Sequence, residues 1–175
     1  MTVYQPREDS RLLAKKILET DLDGEKCLDM GTGTGIIAEK MVKSGAEKVL
    51  AVDVNPEAVE EASEKLDDHV NVEVKSSDLF ENVEGEFDLI AFNPPYLPGD
   101  DLDEDLEGRE IWRGGDSGEE FTEEFLETAE DYLAENGLIL FVVSSLSDFD
   151  THQYEIVDTK QLWFEDIYLL KAGNF

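Results

Sequence analysis

The strongest constraint in this sequence is a short apolar segment that runs into a glycine-rich turn and then into a helical pattern. The apolar segment is Lys26 to Met30, the turn is Gly31-Thr32-Gly33-Thr34-Gly35, and the helical pattern covers residues 36–44. Glycines let a backbone adopt positive φ and approach a ligand closely, and a helix N-terminus directs free N–H groups at an anionic group. The spacing is G-x-G-x-G, unlike the G-x-G-x-x-G of dinucleotide sites, and no G-K-[ST] follows. The pattern predicts a strand, a ligand-binding turn and a helix.

Polar residues follow each of four successive strand candidates, which cover residues 26–30, 48–52, 70–74 and 87–92. In an open α/β sheet, ligands bind beyond the carboxyl ends of the strands. We therefore expect one crevice to collect Asp29, Gly31, Asp53, Asp78 and Asn93. Asp53 lies about twenty residues past the glycines, where an acidic side chain can bind both hydroxyls of a ribose. The alternatives are a capping or turn aspartate for Asp53 and a solvated loop acid for Asp78.

The segment Asn93-Pro94-Pro95-Tyr96 ends the fourth strand candidate abruptly, because prolines donate no backbone N–H and restrict the residue before them. The Asn amide, the neighbouring proline carbonyl and the aromatic ring form a compact set of acceptors and a stacking face. Such a set suits a planar amine or amide nitrogen. A Pro-Pro turn with a packed tyrosine is the alternative for the tetrapeptide taken alone.

The rest of the chain alternates helical and strand patterns, which is typical of a parallel-rich α/β sheet. Helices are predicted at residues 11–20 (capped by Ser10), 56–66 and 119–133, and strands at residues 138–143, 154–159 and 164–170, of which the last two form an antiparallel end. Only about ten residues separate Ser144 from Tyr154, whereas a parallel crossover usually needs a dozen or more. Either the helix there is reduced to a fragment around Leu146 to His152, or residues are absent, and we favour absence.

The ordered set D-M-G-T-G-T-G, V-D, S-D-L and N-P-P-Y resembles class I methyltransferases that use S-adenosylmethionine, and specifically the release-factor glutamine methyltransferases of the HemK/PrmC-like family. Two further segments, Y-Q-P-R-E-D-S at residues 4–10 and W-R-G-G-D-S-G at residues 112–118, resemble the archaeal and eukaryotic branch. The resemblance covers nearly the whole chain. It implies a Rossmann-like α/β fold with a seven-stranded, mostly parallel sheet, one antiparallel strand and helices on both faces, and a single methyltransferase domain over residues 1–175.

The resemblance also implies roles for individual residues. Catalysis would rest on Asn93, Pro94 and Tyr96, with the Asn93 oxygen and the Pro94 carbonyl accepting the two hydrogens of a glutamine amide. The expected cofactor-binding residues are Tyr4, Pro6, Glu8, Asp9, Asp29, Gly31, Gly33, Gly35, Asp53, Val54, Asp78, Leu79 and Asn93. The expected substrate-binding residues are Asn93, Pro94, Pro95, Tyr96, Trp112, Gly114 and Gly115. For Glu8 and Asp9, capping of the first helix is an equal interpretation.

The implied reaction moves a methyl group from S-adenosylmethionine to the N5 nitrogen of the glutamine in the GGQ motif of a class 1 release factor, which leaves S-adenosylhomocysteine. Three alternatives stay open: an N6-adenine DNA methyltransferase, since N-P-P-Y also occurs in those enzymes, a protein lysine methyltransferase, and a non-catalytic methyltransferase-like scaffold. We expect no metal in this chain, which has one cysteine and two histidines. With no signal peptide or apolar span in the sequence, a cytoplasmic location is expected.

The resemblance further implies a partner, a small zinc-binding methyltransferase activator protein, in a heterodimer. The segment Val70 to Val74 would be the outermost strand in the usual strand order. A bare sheet edge invites strand addition, so we expect the activator to pair there.

The net charge of the chain is extreme. It has 14 basic and 44 acidic residues, which give a formal net charge of −30. Nucleic-acid binding is disfavoured, since attraction to phosphates supplies most non-specific affinity. The acidic residues are interleaved with ordinary core patterning, which indicates a folded protein with a strongly hydrated surface, as in halophilic archaea.

We therefore expect molar salt to stabilise the fold, because counterions screen the self-repulsion. Moving from low to molar KCl is predicted to raise the Tm by roughly 5 °C or more, equal to about 2 kcal/mol. Thermal melts followed by circular dichroism measure this. An uncharged osmolyte such as sucrose serves as the control, since it does not screen charge. Equal Tm values in low and molar KCl would contradict the expectation.

Overall fold

The computed structural model describes residues 3–94 and 120–173. Its strands are β1 (Lys26–Met30), β2 (Lys48–Asp53), β3 (Val72–Ser76), β4 (Phe87–Phe92), β5 (Leu133–Ser144), β6 (Glu155–Gln161) and β7 (Asp166–Gly173). Its helices are α1 (Glu8–Leu18), α2 (Ile36–Lys43), α3 (Pro56–Leu66) and α4 (Glu120–Ala129), with 3₁₀ helices at Glu130–Tyr132 and Thr151–Gln153.

The seven strands form one sheet in the order β3-β2-β1-β4-β5-β7-β6. Strand β7 is antiparallel to both of its neighbours, and the remaining pairs are parallel. The predicted seven-stranded, mostly parallel sheet with one antiparallel strand is therefore confirmed. The order reverses direction between β1 and β4, which is the switch point where a crevice opens in such sheets.

Two apolar layers cover the two faces of the sheet. Residues along a strand alternate between faces, so in β1 Cys27 belongs to one layer and Leu28 to the other. Helices α1, α2 and α3 supply the first layer, with Leu13 of α1 fully buried there. Helix α4 supplies the second layer, where the rings of Phe125 and Phe92 lie 4.2 Å apart between centroids. Helices thus cover both faces, as predicted.

The link from β5 to β6 is short because β6 begins halfway along the sheet. Glu155 pairs with Lys171, and Lys171 pairs with Leu140 in the middle of β5. The chain leaving Ser144 therefore returns only part of the sheet length, and a 3₁₀ helix at Thr151–Gln153 is sufficient. This short helix corresponds to the alternative of a reduced fragment, although it overlaps only the end of the stretch Leu146 to His152. The absence of residues, which the sequence favoured, stays a prediction.

The start of the first helix was predicted wrongly. Helix α1 begins at Glu8, and its N-cap is the extended residue Arg7, so Ser10 lies inside the helix and does not cap it. Glu8 and Asp9 in the first turn favour the earlier start, because their negative charges interact favourably with the positive end of the helix dipole.

The region before β5 also differs from its prediction. The helix expected to reach Leu133 ends at Ala129, and β5 begins at Leu133 rather than at Leu138. Leu133 already pairs with Phe87 of β4, and the register then shifts before the next pair. Asn136 has a φ of 69°, which bends the backbone and absorbs the extra residues. Pairing with β4 overrides the helical pattern.

The bounds of β3 are shifted by a turn at its start. The strand begins at Val72 rather than Val70, because the Val72 N–H donates to the His69 carbonyl and closes a turn over residues 69–72. Its predicted place at the edge of the sheet is confirmed. Within the described ranges, no helix is long and apolar enough to cross a bilayer.

Candidate functional site

The register of three parallel strands brings the predicted site together. Met30 of β1 pairs with Val52 of β2 on one side and with Phe92 of β4 on the other. The next residue of each strand is therefore level with the others, which places Gly31 between Asp53 and Asn93. A crevice opens at this edge, lined by residues that follow these strands.

Most of the predicted cofactor-binding residues line this crevice: Tyr4, Pro6, Asp29, Gly31, Gly33, Asp53, Val54, Asp78, Leu79 and Asn93. The other three predicted cofactor-binding residues, Glu8, Asp9 and Gly35, do not line the crevice. Pro94, the residue after Asn93, is buried. The predictions for Pro95, Tyr96, Trp112, Gly114 and Gly115 fall on residues outside the described ranges.

The glycine turn supplies the floor of the crevice. Gly31 and Gly33 have φ values of 64° and 53°, in the left-handed region that side chains with a Cβ disfavour. A Cβ on Gly31 would also lie 3.5 Å from the ring of Phe92. The turn therefore needs glycine for its backbone conformation and leaves bare backbone facing the crevice.

Asp29 ties this turn to the helix that follows it. Its Oδ2 accepts from the Thr32 hydroxyl at 2.6 Å and from the Ala38 backbone N–H at 3.0 Å. The residue is only 2% exposed. Burial raises the pKa of Asp29 to about 7, and the two hydrogen bonds oppose that rise only in part.

Asp53 holds the other side of the turn. Its Oδ2 accepts from the Gly33 N–H at 2.9 Å, and its Oδ1 accepts from the Asn55 N–H at the same distance. Burial raises the pKa of this carboxyl, while the backbone hydrogen bonds lower it. The sequence left open whether Asp53 caps α3. The N-cap is Asn55 instead, and its side-chain oxygen accepts from the Glu57 N–H.

The segment after β3 forms the third wall. Ser77 is buried, and its hydroxyl donates to the Leu79 carbonyl at 2.7 Å and accepts from the Asn82 N–H at 3.0 Å. Leu79 has a φ of 41°, a strained conformation for a bulky residue. Asp78, by contrast, is exposed at the crevice, so its charge is solvated.

Two of the three predicted residues that do not line the crevice are Gly35 and Glu8. Gly35 has a φ of 73°, and a Cβ there would lie 3.1 Å from Cδ1 of Leu66 and 3.3 Å from Cβ of Ala62. It allows close packing of the turn on α3. Glu8 forms ion pairs with Arg11 at 2.7 Å and with Lys160 at 3.0 Å, on the outer side of α1.

Asn93 is anchored at one end of its side-chain amide. Its Nδ2 donates to the Ser10 hydroxyl at 3.2 Å. Its Oδ1 is buried and has no hydrogen-bond partner among the described residues. A buried polar atom without a partner is costly unless a ligand satisfies it. The unpartnered oxygen therefore marks the end of the amide that is available to a hydrogen-bond donor.

Several crevice residues were missed by sequence reasoning: Ser10, Met30, Thr32, Thr34, Ile36, Ile37, Ser77, Phe92 and Phe121. Thr32 and Ser77 stand next to predicted residues, so their position in the motifs was a usable signal. Phe121 carries no such signal, because it comes from α4 and reaches the crevice only through packing against Phe92, at 5.9 Å between ring centroids. Across the part of the chain that the structure describes, no group of acidic, histidine or cysteine side chains could hold a metal ion.

Comparison with known proteins agrees with this architecture. Residues 7–162 match the family model of the methyltransferase small domain. A candidate protein N5-glutamine methyltransferase of Methanocaldococcus jannaschii is 41% identical over 148 residues, which cover 83% of this chain and 74% of that protein. The release factor glutamine methyltransferase of Haemophilus influenzae is 29% identical and matches 88% of this chain and 62% of its own length.

Shorter and structural matches add to this. The ribosomal protein L11 methyltransferase of Thermosipho africanus is 45% identical over 87 residues, which are 49% of this chain and only 34% of that protein. Among solved structures, the E. cuniculi Mtq2–Trm112 complex, described as responsible for methylation of the eRF1 translation termination factor, matches with a TM-score of 0.72 and 26% identity over 98% of each chain.

The buried Asp29 predicts a pH dependence of stability. Its folded pKa of about 7 lies above the ordinary value of 3.8, so its contribution is complete below about pH 4 and is lost as the pH rises through 7. Asp29→Asn keeps an acceptor for Thr32 and Ala38 but does not titrate. The free energy of unfolding of the variant, taken relative to that of wild type, should therefore rise by on the order of 2 kcal/mol between pH 4.5 and pH 7.5.

Denaturant unfolding at a series of pH values measures this difference. Asp78→Asn is the matched control, because it removes one exposed carboxylate from the same crevice. A difference between Asp29→Asn and wild type that does not change with pH would contradict the assignment.

Proposed function

Since this chain belongs to the methyltransferase small domain family, we propose that it transfers a methyl group from S-adenosylmethionine to the side-chain amide nitrogen (N5) of the GGQ glutamine in a class 1 release factor. The observation that carries the proposal is the buried Oδ1 of Asn93 at the switch point of the sheet, which has no partner within residues 3–94 and 120–173. The names of the M. jannaschii and H. influenzae relatives support a glutamine amide as the acceptor.

The crevice residues fit S-adenosylmethionine. Bare backbone at Gly31 and Gly33 allows close approach of the amino-acid portion, and Asp53 lies one strand away where ribose hydroxyls can donate to its remaining lone pairs. Val54, Leu79 and Phe92 supply apolar walls for a purine ring. When bound, the sulfonium supplies an activated methyl group to an in-line nucleophile.

The chain's own contribution to the reaction is orientation of a weak nucleophile. An amide nitrogen is poorly nucleophilic because its lone pair is delocalised into the carbonyl. Asn93 Oδ1 and the Pro94 carbonyl accept the two hydrogens of the glutamine amide, which orients the nitrogen and stabilises the positive charge that develops on it. No strong general base is required, since the N–H proton is acidic once the nitrogen is alkylated and is transferred to water, which leaves the neutral N-methyl amide.

The alternative acceptors fit less well. An adenine amine would suit the same acceptors, but a chain with a net charge of −30 repels a phosphate backbone. A lysine ammonium would need a base to remove its proton first. A non-catalytic scaffold gives no reason for an unpartnered Asn93 oxygen at the crevice. A reaction on a translation factor places the protein in the cytoplasm.

The decisive variant is Asn93→Ala. Loss of the acceptor is expected to lower kcat by roughly 10²- to 10³-fold, the effect of removing one preorganised hydrogen-bond group, while the affinity for S-adenosylmethionine changes little. Methyl transfer from labelled cofactor in molar KCl, with the activator protein present, measures the rate. Asn82→Ala is the matched control, because that exposed amide donates to the Ser76 carbonyl and does not line the crevice.

The assay offers release factor, its Gln→Ala loop variant, ribosomal protein L11 and DNA as acceptors. Label on intact release factor alone supports the proposal. Label on L11 or DNA, or none on any acceptor while cofactor binds, would overturn the assigned substrate.

We also propose that a small zinc-binding activator protein pairs with strand β3. The Mtq2–Trm112 complex supports a two-chain arrangement in a protein of this fold. The Asn71 carbonyl accepts from the Val49 N–H, and the Ser77 N–H donates to the Asp53 carbonyl. The backbone N–H and carbonyl groups of the odd-numbered residues of β3 therefore point towards β2. By alternation Val74 directs its N–H to the open edge, as a partner strand requires.

Replacing Val74 with proline tests this edge, because proline removes the outward N–H. We expect Val74→Pro to lose co-purification with the activator, whereas Val74→Thr keeps the N–H and the β-branched shape and retains the complex. Melting curves without activator check that both variants fold. Undiminished pull-down of the activator by a folded Val74→Pro would rule out pairing at this edge.

A further inference from the structure

We propose that Ser10 and Asp9 are positioning residues that determine which end of the Asn93 amide faces the crevice. This inference rests on the proposed function, since it concerns the same acceptor oxygen. Neither residue was assigned such a role by its sequence: Asp9 was expected to contact the cofactor, and Ser10 to cap the first helix.

A continuous chain of hydrogen bonds links the three residues. Asn93 Nδ2 donates to Ser10 Oγ at 3.2 Å, and Ser10 Oγ donates to Asp9 Oδ1 at 3.2 Å. The hydroxyl of Tyr4 donates to the other oxygen of Asp9, Oδ2, at 2.8 Å. Asp9 and Ser10 are 2% and 5% exposed, so water competes little for these groups.

The direction of the chain follows from counting donors. A carboxylate only accepts, and both oxygens of Asp9 accept here, one from Tyr4 and one from Ser10. The single hydrogen of the Ser10 hydroxyl is therefore committed to Asp9. Towards Asn93, Ser10 can only accept, so the end of the amide that meets it must be the NH₂ group.

The consequence concerns the other end of the same side chain. With Nδ2 held by Ser10, Oδ1 of Asn93 is left in the buried position without a partner among the described residues. If the amide turned by 180°, its NH₂ group would meet the NH₂ group of a glutamine substrate, donor against donor. Ser10 thus selects the acceptor orientation by direct contact with Asn93, and Asp9 acts through Ser10 without lining the crevice.

Tyr4 stabilises the outer end of this series of hydrogen bonds. Burial and the adjacent Asp9 raise the pKa of Tyr4 well above its usual range, so its hydroxyl keeps its proton and stays a donor. Asp9 also acts at the start of α1, because its Oδ1 accepts from the Ser10 N–H at 2.5 Å while the N-cap, Arg7, makes no side-chain capping bond. The hydrogen-bonded side chains at the start of α1 therefore serve both the helix end and the crevice.

Three hydroxyl variants test the inference. Ser10→Ala should lower kcat for release-factor methylation about ten-fold, the effect of one lost hydrogen bond, with little change in cofactor affinity. Ser10→Thr keeps the hydroxyl and should restore much of the rate. Ser44→Ala is the matched control, because it removes a hydroxyl that donates to the Ile17 carbonyl at 2.8 Å, in the last turn of the same helix, whereas Ser10 lies in the first turn. Its kcat should equal wild type.

Asp9→Asn separates positioning from cofactor binding. The Ser10 N–H still needs an acceptor at Oδ1, so the amide nitrogen of the new side chain takes the Oδ2 position beside Tyr4, and Ser10 remains a donor. Cofactor affinity should stay within about two-fold of wild type, whereas loss of a direct ion pair with the cofactor would lower the affinity far more.

A kcat for Ser10→Ala equal to wild type, or equal losses in Ser10→Ala and Ser44→Ala, would overturn the inference.

Failure of the proposed function is recognised separately. If wild type binds cofactor but methylates no release factor, the orientation is read by NMR from the Asn93 side-chain NH₂ signals. The hydrogen held by Ser10 should exchange with solvent more slowly in wild type than in Ser10→Ala. Equal exchange rates in the two proteins would refute the hydrogen-bond chain even then.

Discussion

The site depends on the parallel register of β2, β1 and β4. Because Met30 pairs with both Val52 and Phe92, the first residue past each strand lies at the same level, and Gly31 stands between Asp53 and Asn93. A slip by one residue would point each polar side chain at the opposite face of the sheet. The core enforces this register, since alternate residues of each strand fill two apolar layers that a slip would expose.

Hydrogen bonds rather than cations hold the buried acids of the crevice. Asp29 and Asp53 accept from backbone N–H groups and from Thr32, and for both the effect of burial on the pKa exceeds that of the hydrogen bonds. Lysines instead pair at the surface, as Lys43 does with Glu39. In a chain with few basic residues, backbone N–H groups supply the hydrogen bonds that stabilise these buried carboxylates.

Much of the fold and of the crevice was predictable because local and periodic signals agree. The strands Lys26–Met30 and Phe87–Phe92 and the helix Pro56–Leu66 have the predicted bounds, each ended by glycine, proline or a polar cap. The misplaced bounds lie where pairing overrides local preference, as at Leu133, which joins Phe87 although the sequence before it is helical. Asn136 supplies the left-handed residue that makes this possible.

The sequence by itself determined the strand–turn–helix cradle and the set of polar residues beyond the strands, because glycine φ preferences, proline geometry and alternation act over a few residues. Only the tertiary structure decided the direction of the Asn93 amide, through a contact with Ser10 that spans a separation of 83 residues. It also decided that Phe121 joins the crevice and that Gly35 packs on α3. Such contacts depend on which helix crosses which strand end, and no local pattern encodes that.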